Sequence, residues 1–232
     1  MKKHIPNTIT CCNLISGCIA TYYAFQGDYR LALLFIVIGA VFDFFDGMTA
    51  RLLHVSSPIG KELDSLADDV TFGVAPATMV YSLLYTLSYP AWLESMRGVL
   101  PYVAFVMAAF AALRLAKFNL DERQTTSFIG LPTPANALFW GSLIVGAGTR
   151  LQQAPWSWAV GLVLIALSCW IMVSEVPMFA LKFKQWGWRG NEVRYVFLLS
   201  CVPLLLVFGI SAFAIIIVWY VVLSIIVRNK NV

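Results

Sequence analysis

Charged residues are scarce in this sequence: Asp, Glu, Lys and Arg make up 12% of its 232 residues, whereas a soluble domain carries about 25%. Hydrophobic residues account for 60% of the chain, and the mean hydropathy is +0.78. This composition argues against an ordinary soluble domain and indicates an integral membrane protein. The net charge is only +4, and the basic residues are spread along the chain, so the sequence predicts no nucleic-acid partner.

Cysteine is also sparse, and its positions argue against two kinds of site. The five cysteines all lie in apolar runs, at Cys11, Cys12, Cys18, Cys169 and Cys201. None is spaced as a metal ligand beside either of the two histidines, so we predict neither a disulfide framework nor a zinc site. The sequence also lacks internal repeats and low-complexity tracts, so residues 1–232 are predicted to form a single membrane domain.

Long apolar runs are what the sequence has instead. A helix needs about 20 apolar residues to cross a bilayer, and eight candidate runs can be found, at roughly 8–26, 31–50, 64–88, 99–117, 132–149, 156–176, 193–208 and 211–227. The last two are divided as a tight helical hairpin because 193–227 is too long for one ordinary span. The predicted fold is all-α, a polytopic bundle of about eight transmembrane helices.

The distribution of basic residues predicts the orientation of this bundle. With eight spans, 13 of the 16 Lys and Arg residues fall on the side that holds both termini, and three fall on the other. Cytoplasmic loops carry such an excess of positive charge. Both termini, and the loop between the second and third runs, are therefore predicted to be cytoplasmic. A six-span arrangement would leave two apolar runs sunk in the protein or lying on the membrane surface.

Four aspartates flank that loop, in the stretch FDFFDGMTARLLHVSSPIGKELDSLAD at 42–68. Asp43 and Asp46 are three residues apart, and Asp64 and Asp68 are four apart, so each pair shares one helix face. Both pairs lie at the same end of their spans and can converge. Converging carboxylates repel each other unless cations neutralise them, which predicts two divalent ions, Mg²⁺ or Mn²⁺, of the kind that assist phosphoryl transfer.

The residues between the two pairs suit a phosphate ligand. Gly47 lets a ligand approach the backbone, and Arg51 offers a planar fork of donors for phosphate oxygens. Ser57 followed by Pro58 is typical of a helix N-cap with proline at the first helical position. Gly60 again permits close approach before the second aspartate pair.

The motif formed by these residues resembles the signature of the CDP-alcohol phosphatidyltransferase family. It reads Asp43-x2-Asp46-Gly47-x2-Ala50-Arg51-x8-Gly60-x3-Asp64-x3-Asp68. Further stretches resemble the phosphatidylserine synthase branch: LDSLAD at 63–68, FGVAPA at 72–77, RLAKFN at 114–119, FIGLPTPA at 128–135, and the opening segment from Pro6 to Gly17. The resemblance covers roughly residues 5–136. Asp69 departs from it, because an uncharged residue is more usual there, and we assign it no role.

The resemblance implies a membrane enzyme that moves the phosphatidyl group of CDP-diacylglycerol to the hydroxyl of L-serine, giving phosphatidylserine and CMP by direct displacement. It implies a six-helix core with two additional C-terminal helices, and a homodimer. The two metal ions would be held by Asp43, Asp46, Asp64 and Asp68, with Asp68 also the general base. CDP-diacylglycerol would be bound by Asn7, Thr10, Gly47, Arg51, Ser57 and Gly60. Serine would be bound by Arg114, Lys117 and Asn119.

Two alternatives remain open on the residues alone. A different acceptor, such as glycerol 3-phosphate or inositol phosphate, would need a denser basic cluster than Arg114, Lys117 and Arg123 provide. A cation transporter would place its carboxylates near the bilayer midplane, often within repeated halves. The small chain without extensions favours the cytoplasmic membrane of a prokaryote, with the site facing the cytoplasm.

Overall fold

The computed structural model describes residues 4–55, 57–121, 128–179, 187–188 and 191–227. Nine α-helices lie within these ranges: α1 His4–Phe25, α2 Tyr29–Leu52, α3 Pro58–Asp68, α4 Ala75–Thr86, α5 Val106–Leu120, α6 Thr133–Gln153, α7 Ser157–Val173, α8 Glu192–Phe208 and α9 Ala212–Val227. Three short 3₁₀ segments are Glu94–Met96, Leu100–Phe105 and Gly209–Ser211, and a π-helical segment, Asp69–Val74, joins α3 to α4. The prediction of a predominantly helical protein is confirmed.

The fold departs from the all-α prediction at one short ladder in the described part of the chain. Strand β1, Phe128–Ile129, pairs antiparallel with β2, Pro177–Met178. The segments that follow α5 and α7 run side by side, and their backbone groups pair with each other. Gly130 has a φ of 73°, and a Cβ there would lie 2.5 Å from the Met172 carbonyl oxygen, so the approach needs a glycine.

Four helical stretches in the described ranges are long and apolar enough to cross a membrane. They are His4–Phe25, Tyr29–Leu52, Leu100–Leu120 and Glu192–Val227, and the shorter apolar helix Ser157–Val173 accompanies them. The count of eight spans and the cytoplasmic placement of both termini stay predictions. Eight of the basic residues in that orientation argument, at positions 2, 3, 123, 182, 184, 189, 228 and 230, lie outside the described residues.

The long C-terminal stretch is a helical hairpin, divided where the sequence predicts. Gly209 ends α8 with a φ of 55°, and a 3₁₀ turn leads into α9. The two helices pack against each other: Trp219 Nε1 donates to Ser200 Oγ over 3.0 Å, and the rings of Phe197 and Tyr220 lie 5.9 Å apart. Because these contacts join residues on opposite sides of the turn, the two helices are antiparallel.

The interior is built mainly from small residues on α1, α2, α4 and α6. Ala20, Ala24 and Ala32 are completely buried there, with the larger Ile36 and Trp140 filling the remaining space. Apolar burial does little to drive helices together in lipid, so close van der Waals packing of small residues carries more of the association. This tight packing fixes α1 against α2, which carries Asp43 and Asp46, and against the segment that follows α3, the helix that carries Asp64 and Asp68.

Candidate active site

Three of the four predicted metal ligands lie together where α2 and α3 meet. Asp43, Asp64 and Asp68 each offer a carboxylate oxygen, and these three oxygens lie within 4.8 Å of one another. The α2 carboxylate faces the α3 pair because the chain turns back after Leu52 and re-enters the bundle at Pro58. We call Asp43, Asp64 and Asp68 the aspartate cluster.

Asp46 lies outside the aspartate cluster and faces α1. Its side chain is buried, and its Oδ2 accepts a hydrogen bond of 2.6 Å from Thr10 Oγ1. A hydrogen bond to a charged acceptor is stronger than a neutral one. Thr10 therefore holds Asp46 by its Oδ2, one helical turn from Asp43.

The oxygen chemistry of the aspartate cluster fits a divalent cation. Asp64 Oδ1 is buried and has no hydrogen-bond partner among the described residues, and none of the cluster's carboxylates forms an ion pair with a Lys or Arg within those ranges. Carboxylates this close repel one another strongly unless positive charge lies between them. Hard cations such as Mg²⁺ and Mn²⁺ prefer oxygen ligands of this kind.

A cleft of about 280 Å³ opens beside the aspartate cluster. It is lined by Pro6, Asn7, Thr10, Asp46, Gly47, Ala50, Val55, Ser57, Gly60, Lys61 and Asp64. Five of the six residues predicted to bind CDP-diacylglycerol are in this lining. Arg51 is not, because its position on α2 turns it outward to an exposed surface. Lys61 lines the cleft and was missed, although its place one residue after Gly60 could have indicated it.

The start of α3 forms one wall of this cleft through local rules that the sequence shows. Ser57 is the N-cap: its backbone is extended, and its Oγ accepts from the Gly60 N–H over 3.0 Å. Pro58 then occupies the first turn, where no N–H is needed. A Cβ at Gly60 would lie 3.0 Å from Ser57 Oγ and 3.1 Å from Asn7 Oδ1, so glycine lets α1 approach α3.

Gly47 also lines the cleft, and its role differs from that of Gly60. Beyond its chain neighbours and the backbone of its own helix, no atom of the described residues lies within 4 Å of the position that a Cβ would take at Gly47. Nothing in the protein therefore demands glycine there for packing. The space in front of this residue belongs to the cleft, so the missing side chain enlarges the room for a ligand.

The predicted serine-binding residues do not form one group. Arg114 is 7% exposed, donates from Nη1 to Thr133 Oγ1 over 3.4 Å, and interacts electrostatically with Asp68. Lys117 is exposed and shares with Arg114 a second, smaller cavity of about 50 Å³. Asn119 lies outside the lining of this cavity: its Nδ2 donates to Ser65 Oγ over 2.7 Å, and its backbone oxygen accepts from Lys61 Nζ. Asn119 therefore joins α5 to α3.

Asp69 points away from the aspartate cluster. It lies in the π-helical segment, and its Oδ1 is 2.6 Å from the position that a Cβ would take at Gly73. The Cβ of Ala111 on α5 lies 3.0 Å from the same position. The Asp69 carboxylate is thus turned toward α5, and its Oδ1 is buried without a hydrogen-bond partner among the residues described.

Asn13 is a second polar residue at the site, in addition to Lys61, to which the sequence assigned no role. Its Nδ2 donates to Asp68 Oδ1 over 3.0 Å, and its side chain is fully buried. The signal was present, because Asn13 belongs to the opening segment from Pro6 to Gly17 that resembles the synthase branch. Its partner could not be identified, because 55 residues separate it from Asp68.

Comparison with known proteins gives a consistent result. Residues 3–174 match the family model described as CDP-alcohol phosphatidyltransferase. The chain is similar to proteins named CDP-diacylglycerol--serine O-phosphatidyltransferase. One from Bacillus subtilis (strain 168) is 43% identical over 133 residues, which cover 57% of this chain and 70% of the relative. One from Mycobacterium leprae (strain TN) is 32% identical over 185 residues, covering 75% and 57%. One from Helicobacter pylori (strain J99) is 36% identical over 135 residues, covering 57% and 54%. The matched region thus spans little more than half the length of the last two.

Proposed function

This chain belongs to the CDP-alcohol phosphatidyltransferase family, and on that premise we propose that it transfers the phosphatidyl group of CDP-diacylglycerol to the hydroxyl of L-serine. The products are phosphatidylserine and CMP. The main structural support is the aspartate cluster lying directly beside a cleft whose lining includes five residues of the predicted nucleotide site. The names of the similar curated proteins support serine as the acceptor.

The carboxylates are proposed to hold two divalent cations, Mg²⁺ or Mn²⁺. Asp43, Asp64 and Asp68 would supply oxygens from the cluster, and Asp46 would supply the oxygen that Thr10 does not occupy. Such cations neutralise the negative charge that develops on a pyrophosphate as it is cleaved. The chain itself contributes the fixed spacing of the ligands, which α1 maintains from inside the bundle.

The cleft between α1, α2 and α3 is proposed to bind the cytidine diphosphate group. Gly47 leaves room for it, and Asn7 and Ser57 offer polar side chains at the wall. Lys61 also lines the cleft, and its positive charge attracts the phosphates although its Nζ donates to the Asn119 backbone oxygen over 2.8 Å. Arg51 would reach a phosphate only by turning in from its exposed position.

The proposed reaction is a direct displacement at phosphorus. The serine hydroxyl oxygen attacks the β-phosphorus, which carries the diacylglycerol. The bond between this phosphorus and the oxygen that bridges the two phosphates breaks, and CMP departs with the electron pair of that bond. Asp68 accepts the hydroxyl proton as general base. Among the described residues, neither cavity is lined by a Cys or His, and the two serines that do line them, Ser57 and Ser174, bond to backbone groups and not to a base.

Arg114 is proposed to bind the serine carboxylate, with Lys117 adding positive charge at the mouth of the small cavity. Its burial and its electrostatic interaction with Asp68 support this role, because the acceptor must lie next to the general base. A phosphorylated acceptor would need more cationic groups than these two. Arg123, the third basic residue considered for such an acceptor, lies outside the described residues. Asn119 supports the site less directly, through its contact with α3.

We place the enzyme in the cytoplasmic membrane of a prokaryote, with both termini and the site facing the cytoplasm, and as a homodimer. The distribution of Lys and Arg supports the orientation. Family membership favours the transferase over the cation transporter.

The decisive experiment measures CMP release from CDP-diacylglycerol by the purified protein with Mn²⁺ or Mg²⁺. Serine, glycerol 3-phosphate, inositol and inositol phosphate are compared as acceptors, with Asp68→Asn in parallel. We expect release that depends on serine and is lost in Asp68→Asn. Release with another acceptor alone would refute the serine assignment. No release with any acceptor, from folded protein loaded with metal, would refute the transferase activity.

A further inference from the structure

Asn13 holds the Asp68 carboxylate from the interior of the bundle. Its side chain on α1 is completely buried, and its Nδ2 donates to Asp68 Oδ1 over 3.0 Å. Its backbone oxygen accepts a second hydrogen bond, of 3.1 Å, from Thr71 Oγ1. Because Thr71 follows Asp68 by three residues, these two bonds attach one residue of α1 to both the end of α3 and the π-helical segment.

Two glycines provide the space for this contact. A Cβ at Gly39 would lie 2.9 Å from Asn13 Oδ1 and 2.5 Å from Thr71 Cγ2. A Cβ at Gly17 would lie 2.8 Å from the Cα of Thr71, which cannot move without shifting the backbone. Helix α1, helix α2 and the π-helical segment therefore come close together around Asn13, and the space for its side chain is restricted.

The amide of Asn13 is only half satisfied. Its Oδ1 is buried and has no hydrogen-bond partner in the described part of the chain. A buried polar atom without a partner destabilises the fold, so an apolar side chain of similar size would pack there at lower cost. A buried polar atom without a partner calls for an explanation. Here the explanation is the Nδ2 group of the same amide, which donates a hydrogen bond to Asp68.

A carboxylate that binds a metal ion is best held in place by a neutral hydrogen-bond donor. A Lys or Arg in this position would compete with a cation for Asp68, whereas an amide N–H fixes the rotation of the carboxylate without neutralising it. With Oδ1 held by Asn13, the other oxygen, Oδ2, is left on the side of the aspartate cluster for a cation or for the hydroxyl proton of the acceptor. Groups that orient metal ligands in this way affect metal affinity or activity by about 10- to 100-fold.

We infer that Asn13 is a positioning residue that sets the orientation of Asp68 for cation binding and for proton acceptance. The inference rests on the proposed function, in which Asp68 has both tasks. It extends that function to a residue of α1 that lines neither of the two cavities described above.

The test compares Asn13→Leu with Ser16→Ala in the full-length protein. Ser16 is a matched control: it is buried on the same helix, and among the described residues its hydroxyl bonds only to the Cys12 carbonyl oxygen, 2.8 Å away. Mn²⁺ binding is measured without substrate, from the free Mn²⁺ signal in electron paramagnetic resonance. The rate constant kcat and the KM for CDP-diacylglycerol are measured from CMP release.

We expect Asn13→Leu to weaken Mn²⁺ binding and lower kcat, each by about 10- to 100-fold, with KM for CDP-diacylglycerol unchanged. Ser16→Ala should match the wild type. Mn²⁺ binding and kcat at wild-type values in Asn13→Leu would overturn the inference, as would equal losses in both variants. If Asn13→Leu does not fold, Asn13→Ser, whose hydroxyl is too short to reach Asp68, must show the same losses. If the wild type releases no CMP with serine, the proposed function fails, while Mn²⁺ binding still decides the role of Asn13.

Discussion

Replacing Gly47 by alanine separates the space needed by a ligand from the space needed for folding. Because no atom outside the local helix backbone lies within 4 Å of the Cβ position in the described part of the chain, the methyl group would meet no neighbouring element there. Within α2 the change should favour the helix by about 0.5–1 kcal/mol, since glycine is the poorer helix former. The variant should therefore fold at least as stably as the wild type.

The same methyl group projects into the cleft of about 280 Å³. Crowding a well-packed contact costs about 1–3 kcal/mol, which is roughly a 5- to 150-fold loss in kcat/KM for CDP-diacylglycerol. The assay is CMP release at limiting CDP-diacylglycerol, with the thermal unfolding midpoint measured in the same detergent. Gly148→Ala is the control: it also lies within a helix, and its Cβ would have an ordinary contact with Ile144, 3.9 Å away.

Two results would contradict this reasoning. If Gly47→Ala keeps the wild-type kcat/KM for CDP-diacylglycerol, the nucleotide does not occupy the cleft in front of this residue. If its unfolding midpoint falls below that of Gly148→Ala, the space is not open in the folded protein.

Three further predictions concern metal, acceptor and packing. Chelation should abolish CMP release, and activity that survives exhaustive chelation would contradict the metal site. Asp64→Asn should raise the Mn²⁺ concentration needed for half-maximal activity, because a ligand of the cluster is lost. Arg114→Gln should raise KM for serine at least tenfold, since a hydrogen bond to a charged group contributes about 1.5–3 kcal/mol, while KM for CDP-diacylglycerol stays unchanged; equal effects on both would argue for a general structural role. Gly17→Ala should destabilise the fold by about 1–3 kcal/mol because its Cβ would meet the Thr71 backbone, and an unchanged unfolding midpoint would contradict that contact.

Each aspartate pair and the helix start at Ser57 could be predicted, because each follows from the spacing of residues along a single helix. A period of 3.6 residues places Asp64 and Asp68 on one face, and a serine followed by proline caps a helix by local geometry. These features need no knowledge of which helices are neighbours. The division of 193–227 into a hairpin was equally local, since it depended on length and on Gly209.

Features that depend on neighbours could not be predicted in the same way. The partner of Asn13 is 55 residues away, and Asn119 is engaged by α3 across a similar separation. Arg51 shares the motif but turns outward, because the direction of a side chain depends on how α2 packs. The β1–β2 ladder joins segments about 50 residues apart, and no alternation of polar and apolar residues marks strands of two residues.

The π-helical segment Asp69–Val74 acts as a phase shift within one long helical path from Pro58 to Thr86. Each extra residue accommodated by a wide turn rotates the downstream helix by about 100° relative to an uninterrupted α-helix. The acidic face of α3 can therefore be aimed at α2 while α4, which is buried on all sides from Ala75 to Val80, keeps its own contacts with the core. The metal-binding residues and the core-packing residues lie on one continuous helical path, but their orientations are set separately. Removing one residue from this segment would rotate α3 and α4 relative to each other by about 100°, so either the carboxylates or the core contacts of α4 would be misdirected.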